Sequence, residues 1–377
     1  MKSNLRVVVL FGGDSNEREI SLESGRNVCY KLTSAGYTVV PVFVNAQMAQ
    51  FQITSALLIR NRTAEIAELV TESMKIGWSS LNQICDFVFI ALHGGRGENG
   101  AVQGALEMLN IPYNGSGVLA SALCMNKHRA AQFLKSEGFD TPTQKIVSRV
   151  EWQSDHESVI TALKAGLTLP LITKPNNDGC SMLVSCANSW QDVASQLDTL
   201  FAQGKQEALI EERLMGMELT VGVIGNEKPF VLPPSHTVST GDILSIEEKF
   251  LPGQGENRTP APLSHESIRF VQETIGRAYG ILGLAGYARI DCFYQKAQET
   301  HTNTERLVIL EVNTLPGLTP STCLFHQAAE VDMRPIDLLD AIIKYGLELH
   351  AYMQPKQRDV LVGEAKIETM ALGQSRF

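Results

Sequence analysis

The alternation of apolar and polar positions changes period several times along the chain, and each change marks an element. Leu5 to Phe11 (LRVVVLF) is a short β-branched run closed by Gly12-Gly13, the pattern of a buried strand. Spaced apolar residues from Ser21 to Ala35, stopping near Gly36, predict a helix, and Tyr37 to Val44 (YTVVPVFV) predicts a second strand. Strand, helix and strand make a βαβ unit and imply a parallel sheet. Residues 46–80 read as helical and of mixed polarity. Asp86 to Leu92 (DFVFIAL) is a further strand that runs into the polar loop His93–Gly100 (HGGRGENG). A helix through Leu109 follows, and Pro112–Gly117 breaks the pattern. Up to about residue 120 the chain is expected to form a small doubly wound domain. Ligands of such domains lie beyond the carboxyl ends of the strands, where the loops Gly12–Glu17 and His93–Glu98 fall.

From about 121 the texture changes. A helix (SALCMNKHRAAQFLKSEG) leads to the strand LPLITKP, the small-residue loop Asn176–Ser181 (NNDGCS) and the strand MLVSC. In ALIEERLMGMELTVGVIG two strand-like runs are joined through a turn at Met215-Gly216. Residues 235–263 are rich in Gly and Pro, and a loop of that length in a compact domain tends to be a lid or a binding loop. A helix around 265–282 and the strands GYARIDCFY and RLVILEVN complete the core. The stretch from about 351 is either an added helix or a tail.

Composition narrows the partners. An apolar content of 44% and a charged content of 19% are those of an ordinary globular protein. The net charge of −9 argues against nucleic acid, which needs a basic face, but not against a small anion held by local lysines. The seven cysteines are scattered, with no C-x-x-C pair, and are expected to be reduced thiols of a cytoplasmic protein. The apolar run near the start is about half what a signal peptide needs. No run approaches the roughly 20 apolar residues of a membrane span. No membrane partner is expected.

The last two strands hold the most informative chemistry. Side chains two apart on a strand share a face, so Arg289 and Asp291 point one way, and so do Glu311 and Asn313. Should the two strands pair, one face would carry two carboxylates, an amide and a guanidinium. Oxygen ligands in that number suit Mg²⁺, which is commonly held by one or two carboxylates plus substrate phosphates. A salt-bridged, solvated face is the alternative, but the neighbouring positions are apolar. Lys174 precedes the loop NNDGCS, whose small residues let backbone N–H groups approach phosphate. That loop matches neither the Walker nor the Rossmann pattern. Lys127 lies early in a helix, and Lys249 sits in the long loop as EEKF. Glu17 stands at a helix start, and His93 ends a strand as a polar contact, an acid or base, or a packing residue. Glu211 and Glu218, by residue type alone, are surface charges beside a turn.

Taken in order, the segments LFGGDSNEREISLESG, FIALHGGRGENGAVQGALEMLNIPYNGSGVLASALCMNKHRA, ITKPNNDGCS, LIEERLMGMELTV, EEKF, ARID and LEVNTLPGLT resemble the D-alanine–D-alanine ligases of the ATP-grasp superfamily. The resemblance spans Leu5 to about Leu347. It implies an α/β chain, α+β in its C-terminal half. Residues 1–120 would form a preATP-grasp domain. Residues 121–214 and 215–350 would form the two ATP-grasp units, the second carrying an ω-loop at about 235–263. The tail 351–377 has no implied role. ATP and two Mg²⁺ ions (or Mn²⁺) are the implied cofactors, D-alanine the substrate and a homodimer the assembly. Lys127, Lys174 and Ser181 would meet the phosphates, and Lys249 the γ-phosphate. Glu211, Arg213 and Leu214 would line the adenine, and Glu218 the ribose. Asp291, Glu311 and Asn313 would hold the metal. Glu17 would receive the first amino acid's ammonium with His93 nearby, and Arg289 and the Gly317 N–H would stabilise the oxyanion.

Two departures bear on substrate. Cys180 stands where the family usually has serine, and Phe250 where D-alanyl-D-alanine enzymes usually have tyrosine. Those hydroxyls link with the N-terminal glutamate, here Glu17, to tie the lid down. A thiol donates weakly and phenylalanine not at all. Phenylalanine at this place resembles the branch that makes D-alanyl-D-lactate. Thr322 keeps a hydroxyl where serine is common for the second substrate's carboxylate. The expected activity is therefore ligation of two D-alanine molecules. Alternatives are another second substrate (D-lactate, D-serine or another amino acid) or a nucleotide-binding sensor without catalysis. A dinucleotide-dependent oxidoreductase would account for the first βαβ unit and for none of the C-terminal cluster.

Overall fold

The computed structural model describes residues 5–179, 183–238, 256–300 and 303–353, arranged around three sheets. Cys180, Ser181, Lys249, Phe250 and the tail beyond 353 lie outside the described residues.

The first sheet contains β1 (Arg6–Gly12), β2 (Thr38–Val44), β3 (Gln50–Gln52), β4 (Lys75–Ile76) and β5 (Phe87–Ile90), in the order β4-β3-β2-β1-β5. Central β1 runs parallel to both β2 and β5, and Val7–Phe11 are fully buried, which is why that strand is an unbroken apolar run. The helix Arg18–Ser34 makes the crossover, turning its buried face to β1 and β2. β3 and β4 are antiparallel additions within the segment expected to be helical. Strands of three and two residues are too short to display an alternation, so local pattern could not reveal them.

The sheet carries its polar loops at one end. Gly12, at φ +99°, lets Gly13 N–H donate to Val44 O at 2.7 Å; a Cβ on Gly12 would lie 2.4 Å from that same oxygen. The chain then turns so that Asp14 pairs with Arg96 at 2.6 Å and Ser15 Oγ donates to His93 O at 2.5 Å. The loops after β1 and β5 are thus joined to each other.

The single helix expected after residue 120 is two, Val118–Met125 and Lys127–Ser136. Asn126 breaks it and caps the second, accepting from Arg129 N–H at 3.0 Å. The second sheet, ordered β6-β9-β7-β8, is antiparallel and comprises β6 (Gln144–Ser148), β7 (Leu171–Pro175), β8 (Ser185–Ala187) and β9 (Glu207–Glu212).

The third sheet follows the order β13-β12-β10-β14-β15, with β11 also paired to β10. Its strands are β10 (Met217–Ile224), β11 (Phe230–Val231), β12 (Ser235–Val238), β13 (Glu256–Arg258), β14 (Tyr287–Gln295) and β15 (Arg306–Asn313). The runs either side of Met215-Gly216 therefore do not form a hairpin: β9 belongs to the second sheet and β10 to the third. β12 and β13 pair antiparallel, so the turn-rich 235–263 stretch opens with a strand and contains its partner. The helix Pro335–Met353 packs back on the Arg18–Ser34 helix and β5, bringing the C-terminal part of the described chain against the first sheet.

Candidate active site

β14 and β15 pair antiparallel with Arg289 opposite Asn313 and Asp291 opposite Glu311. The alternation that put these residues on common faces of two separate strands thus places all four on one face of the sheet, next to a register shift after Asp291. Arg289 donates to both oxygens of Asp291, from Nε at 2.9 Å and Nη2 at 2.8 Å. Asn313 Nδ2 lies 3.3 Å from Asp291 Oδ2, and Thr220, opposite Asp291 on β10, donates its hydroxyl to Oδ1. Burial works against the Arg289 charge, but Asp291 and Glu311 outweigh it and hold the guanidinium firmly protonated.

Lys127 reaches this face from the first residue of its helix. Its Nζ lies 3.2 Å from Glu311 and donates to the backbone oxygen of Asp178 at 2.6 Å. It therefore spans from β15 to the loop after β7. Burial opposes its charge, and Glu311 raises the pKa above the ordinary value regardless. Asn176, fully buried, seats the helix: its backbone oxygen accepts from Lys127 N–H, and its Oδ1 accepts from His128 N–H at 3.0 Å. Lys174 and Glu211 form an ion pair of 2.5 Å with both side chains under a tenth exposed. Glu211 is thus a buried, paired carboxylate and not the surface charge its residue type suggested. Such a pair holds its two strands in position more than it adds stability. Arg213 and Leu214 lie in the link from β9 to β10, with Arg213 N–H on Pro170 O. Glu218 is on β10, and its backbone oxygen contacts His236 Nδ1 at 2.9 Å.

A cavity joins the sheet face to the first unit. Glu17, His93, Glu98, Arg289, Glu311, Asn313 and Gly317 are among its lining residues. Glu17 caps the Arg18–Ser34 helix by position, without a capping hydrogen bond from its side chain. Its carboxylate lies against two glycines; a Cβ on Gly179 or Gly94 would come within 2.4 and 2.5 Å of Oε2, respectively. The loop after β7 thus meets the start of the first helix through bare backbone.

His93 is buried and engaged at both nitrogens, with Nδ1 2.9 Å from Leu315 O and Nε2 2.8 Å from Ser24 Oγ. Because a carbonyl only accepts, Nδ1 carries the proton and Nε2 accepts from the Ser24 hydroxyl. Ser24 Oγ in turn accepts from Leu318 N–H at 3.0 Å. Burial pushes the His93 pKa down to about 4, with the Arg289 charge adding to the effect. A neutral ring with both nitrogens bonded to protein is a clasp between the first sheet and the loop after β15, which is a more limited role than an acid or base.

Glu98 was not singled out from the sequence, yet it lines the same cavity and clasps the same loop. It accepts from Gly94 N–H at 2.9 Å, Leu315 N–H at 3.0 Å and Thr314 Oγ at 3.3 Å. Burial raises its pKa against the pull of those donors. Its position in the Gly-rich HGGRGENG loop was the available signal. Ser24, Asn176 and Thr220 were also missed, and for them no local pattern exists. Thr322 precedes the helix Cys323–Ala329, and its N–H donates to Thr319 O. The cysteines among the described residues are free thiols.

Asp291, Glu311 and Asn313 form an oxygen-rich face suited to a divalent cation whose shell is completed by phosphate oxygens. Among the described residues no three His, Cys, Asp or Glu side chains cluster to hold a metal by themselves. Among the described residues no helix is long and apolar enough to cross a membrane.

Comparison with known proteins gives the family. Residues 6–116 match the family model described as D-ala D-ala ligase N-terminus, and residues 133–344 the one described as D-ala D-ala ligase C-terminus. The chain is 35% identical to a D-alanine–D-alanine ligase of Desulforudis audaxviator, over 91% of this chain and 99% of that protein. It is 32% identical to the D-alanine–D-alanine ligase of Carboxydothermus hydrogenoformans, again over 91% and 99%. The D-Ala:D-Ser ligase VanG of Enterococcus faecalis superposes with a TM-score of 0.75 at 25% identity, over 91% of this chain and 99% of that one. The D-alanine–D-alanine ligase of Coxiella burnetii shares the fold with a TM-score of 0.77, over 97% and 99%. With its ATP-grasp fold and this constellation of lysines, arginine and carboxylates, the chain belongs to the D-alanine–D-alanine ligase family and is an ATP-dependent carboxylate–amine ligase.

Proposed function

We propose that the protein joins two D-alanine molecules at the expense of ATP, giving D-alanyl-D-alanine, ADP and phosphate for peptidoglycan synthesis in the cytoplasm. The observation that carries this reading is the shared face of Arg289, Asp291, Glu311 and Asn313, opening into the cavity that Glu17 lines. Glu17 accepts the ammonium of the first D-alanine. That molecule's carboxylate attacks the γ-phosphorus, ADP leaves, and an acyl phosphate forms. The amine of the second D-alanine attacks the acyl carbon, losing a proton, and phosphate departs with its bonding pair. Arg289 and the Gly317 N–H meet the oxyanion of that step; one such donor is typically worth roughly 3–4 kcal/mol of barrier. Lys127 and Lys174 contact the phosphates, where most of the work is positioning and charge neutralisation. Asp291, Glu311 and Asn313 would hold Mg²⁺, which when bound neutralises the transferring phosphoryl group. Lys249, outside the described residues, is assigned to the γ-phosphate, and Glu211, Arg213, Leu214 and Glu218 to the nucleoside. The assembly proposed is a homodimer.

A second reading keeps the mechanism and changes the second substrate to D-lactate or D-serine. Phe250 in place of tyrosine, and Cys180 in place of serine, favour it. One experiment tests both. Protein, ATP and Mg²⁺ are incubated with D-alanine alone and with D-alanine plus each rival, and products are identified by mass. A dipeptide from D-alanine alone is expected. An ester or mixed dipeptide formed in preference would transfer support to the second reading, and no ADP release with any of them would remove both.

A further inference from the structure

The β7–β9 ladder ends at Pro175 opposite Ala208, one further backbone bond runs from Asn176 N–H to Glu207 O at 3.4 Å, and side chains continue the contact. Extending the ladder sets Asn176 opposite Glu207 and Asp178 opposite Lys205. Both pairs are made. Asn176 Nδ2 donates to Glu207 Oε2 at 2.7 Å, and Lys205 Nζ forms an ion pair with the Asp178 carboxylate. The other side of Asp178 is also held, because its backbone oxygen accepts from Lys127 Nζ at 2.6 Å. Two lysines from different elements therefore converge on one residue. One neutralises its side chain, and the other links its main chain to Glu311.

We propose that Lys205 is a positioning residue for the nucleotide. Through Asp178, whose backbone oxygen Lys127 holds, it fixes the start of the loop after β7, residues 176–179, beside Lys127. The proposal rests on the reading of that loop as phosphate-facing. Both partners are partly exposed, and ion pairs of that kind contribute little to global stability. Loss of Lys205 should accordingly be felt at the loop more than in the fold. The two side chains act through one contact, so removing either should cost about the same and removing both should cost no more.

The test is a calorimetric titration with Mg²⁺ and non-hydrolysable adenylyl imidodiphosphate, needing no amino acid. Lys205→Met should weaken binding about tenfold, the equivalent of one modest charge contact, with the thermal midpoint unmoved. Lys205→Arg should bind as the unaltered protein does. Asp178→Asn should weaken binding by a similar factor, and Lys205→Met with Asp178→Asn no further than either alone. Unchanged affinity in Lys205→Met overturns the proposal, and so does a double variant whose loss is the product of the two single losses. Should Lys205→Met fail to fold, unchanged binding in Asp178→Asn would overturn it equally. If the unaltered protein binds the nucleotide but forms no ADP with D-alanine, the substrate assignment fails and these titrations still decide the role of Lys205. If it binds no nucleotide, both fall.

Discussion

Asp291 is gripped by Arg289 from two residues away on the same strand, through paired hydrogen bonds of 2.9 and 2.8 Å. A lysine retains the charge but cannot make the two-pronged contact. Arg289→Lys is expected to lower kcat by about a hundredfold or more, the usual effect of losing an oxyanion donor. Nucleotide affinity should change little. ADP release under saturating substrates, beside a nucleotide titration, measures both. An equal fall in affinity and rate would assign Arg289 to ground-state binding instead.

His93 makes the fold sensitive to acid. Its pKa is pushed down to about 4 by burial, from the 6.5 of a free imidazole. The folded state therefore binds fewer protons than the unfolded state between those values. The stability associated with the neutral ring is complete above pH 6.5 and is lost as pH falls toward 4, to a total of roughly 3 kcal/mol. Glu98, with its raised pKa, works in the opposite direction, so comparison with a variant is needed to isolate the histidine. Urea unfolding between pH 7 and 4.5 should show a shallower decline in His93→Gln than in the unaltered protein. Identical slopes would contradict the assignment. Activity above pH 6.5 should show no titration of this group.

Glu98 accepts from three donors where only oxygen acceptors fit. Glu98→Gln replaces one acceptor with a donor and leaves a buried N–H facing others. A cost of about 1–3 kcal/mol in urea unfolding is expected. Because the 314–317 segment leads to Gly317, kcat should fall more than the nucleotide Kd rises. A stable variant with full kcat would show that this clasp does not position the loop.

Gly179 admits Glu17. A Cβ there would sit 2.4 Å from Oε2, closer than any relaxed contact. Gly179→Ala should displace the carboxylate and raise the KM for D-alanine, by about tenfold if one charged contact to the ammonium is weakened. The KM for ATP should rise less. Steady-state kinetics with each substrate varied in turn decides it; unchanged D-alanine KM would sever Glu17 from the ammonium.

Removing divalent cations should abolish ADP formation, with recovery on adding Mg²⁺. Asp291→Asn should need much more Mg²⁺ for half-maximal rate, because a neutral ligand replaces a charged one. It also strips Arg289 of its counter-charge, so a lower thermal midpoint is expected alongside. A Mg²⁺ requirement unaltered by this substitution would move the metal elsewhere.

The β14 and β15 strands illustrate what could be read early. Each shows its polar residues two apart amid apolar neighbours, and that period is a property of local backbone geometry. The same is true of β1, whose apolar run signals burial on both faces. In the segment 46–80 the helices Ser55–Leu58 and Thr63–Leu69 follow the expectation, and the two strands were overlooked because they are too short to set a period. The two strands either side of Met215-Gly216 are where the pattern put them, but a turn says where the chain bends and not which sheet each arm joins.

Which residues meet across long separations was another matter. Nothing near Lys127 announces Glu311, nothing near Glu98 announces Leu315, and Glu211 resembles a surface charge until Lys174 is beside it. Periodicity and turn chemistry are encoded within a few residues, and they were enough for the strands and the polar faces they expose. Burial and ion pairing depend on distant neighbours, as the depressed pKa of His93 does on a loop whose Leu315 is 222 positions away, and only the packing of the three sheets supplies those neighbours.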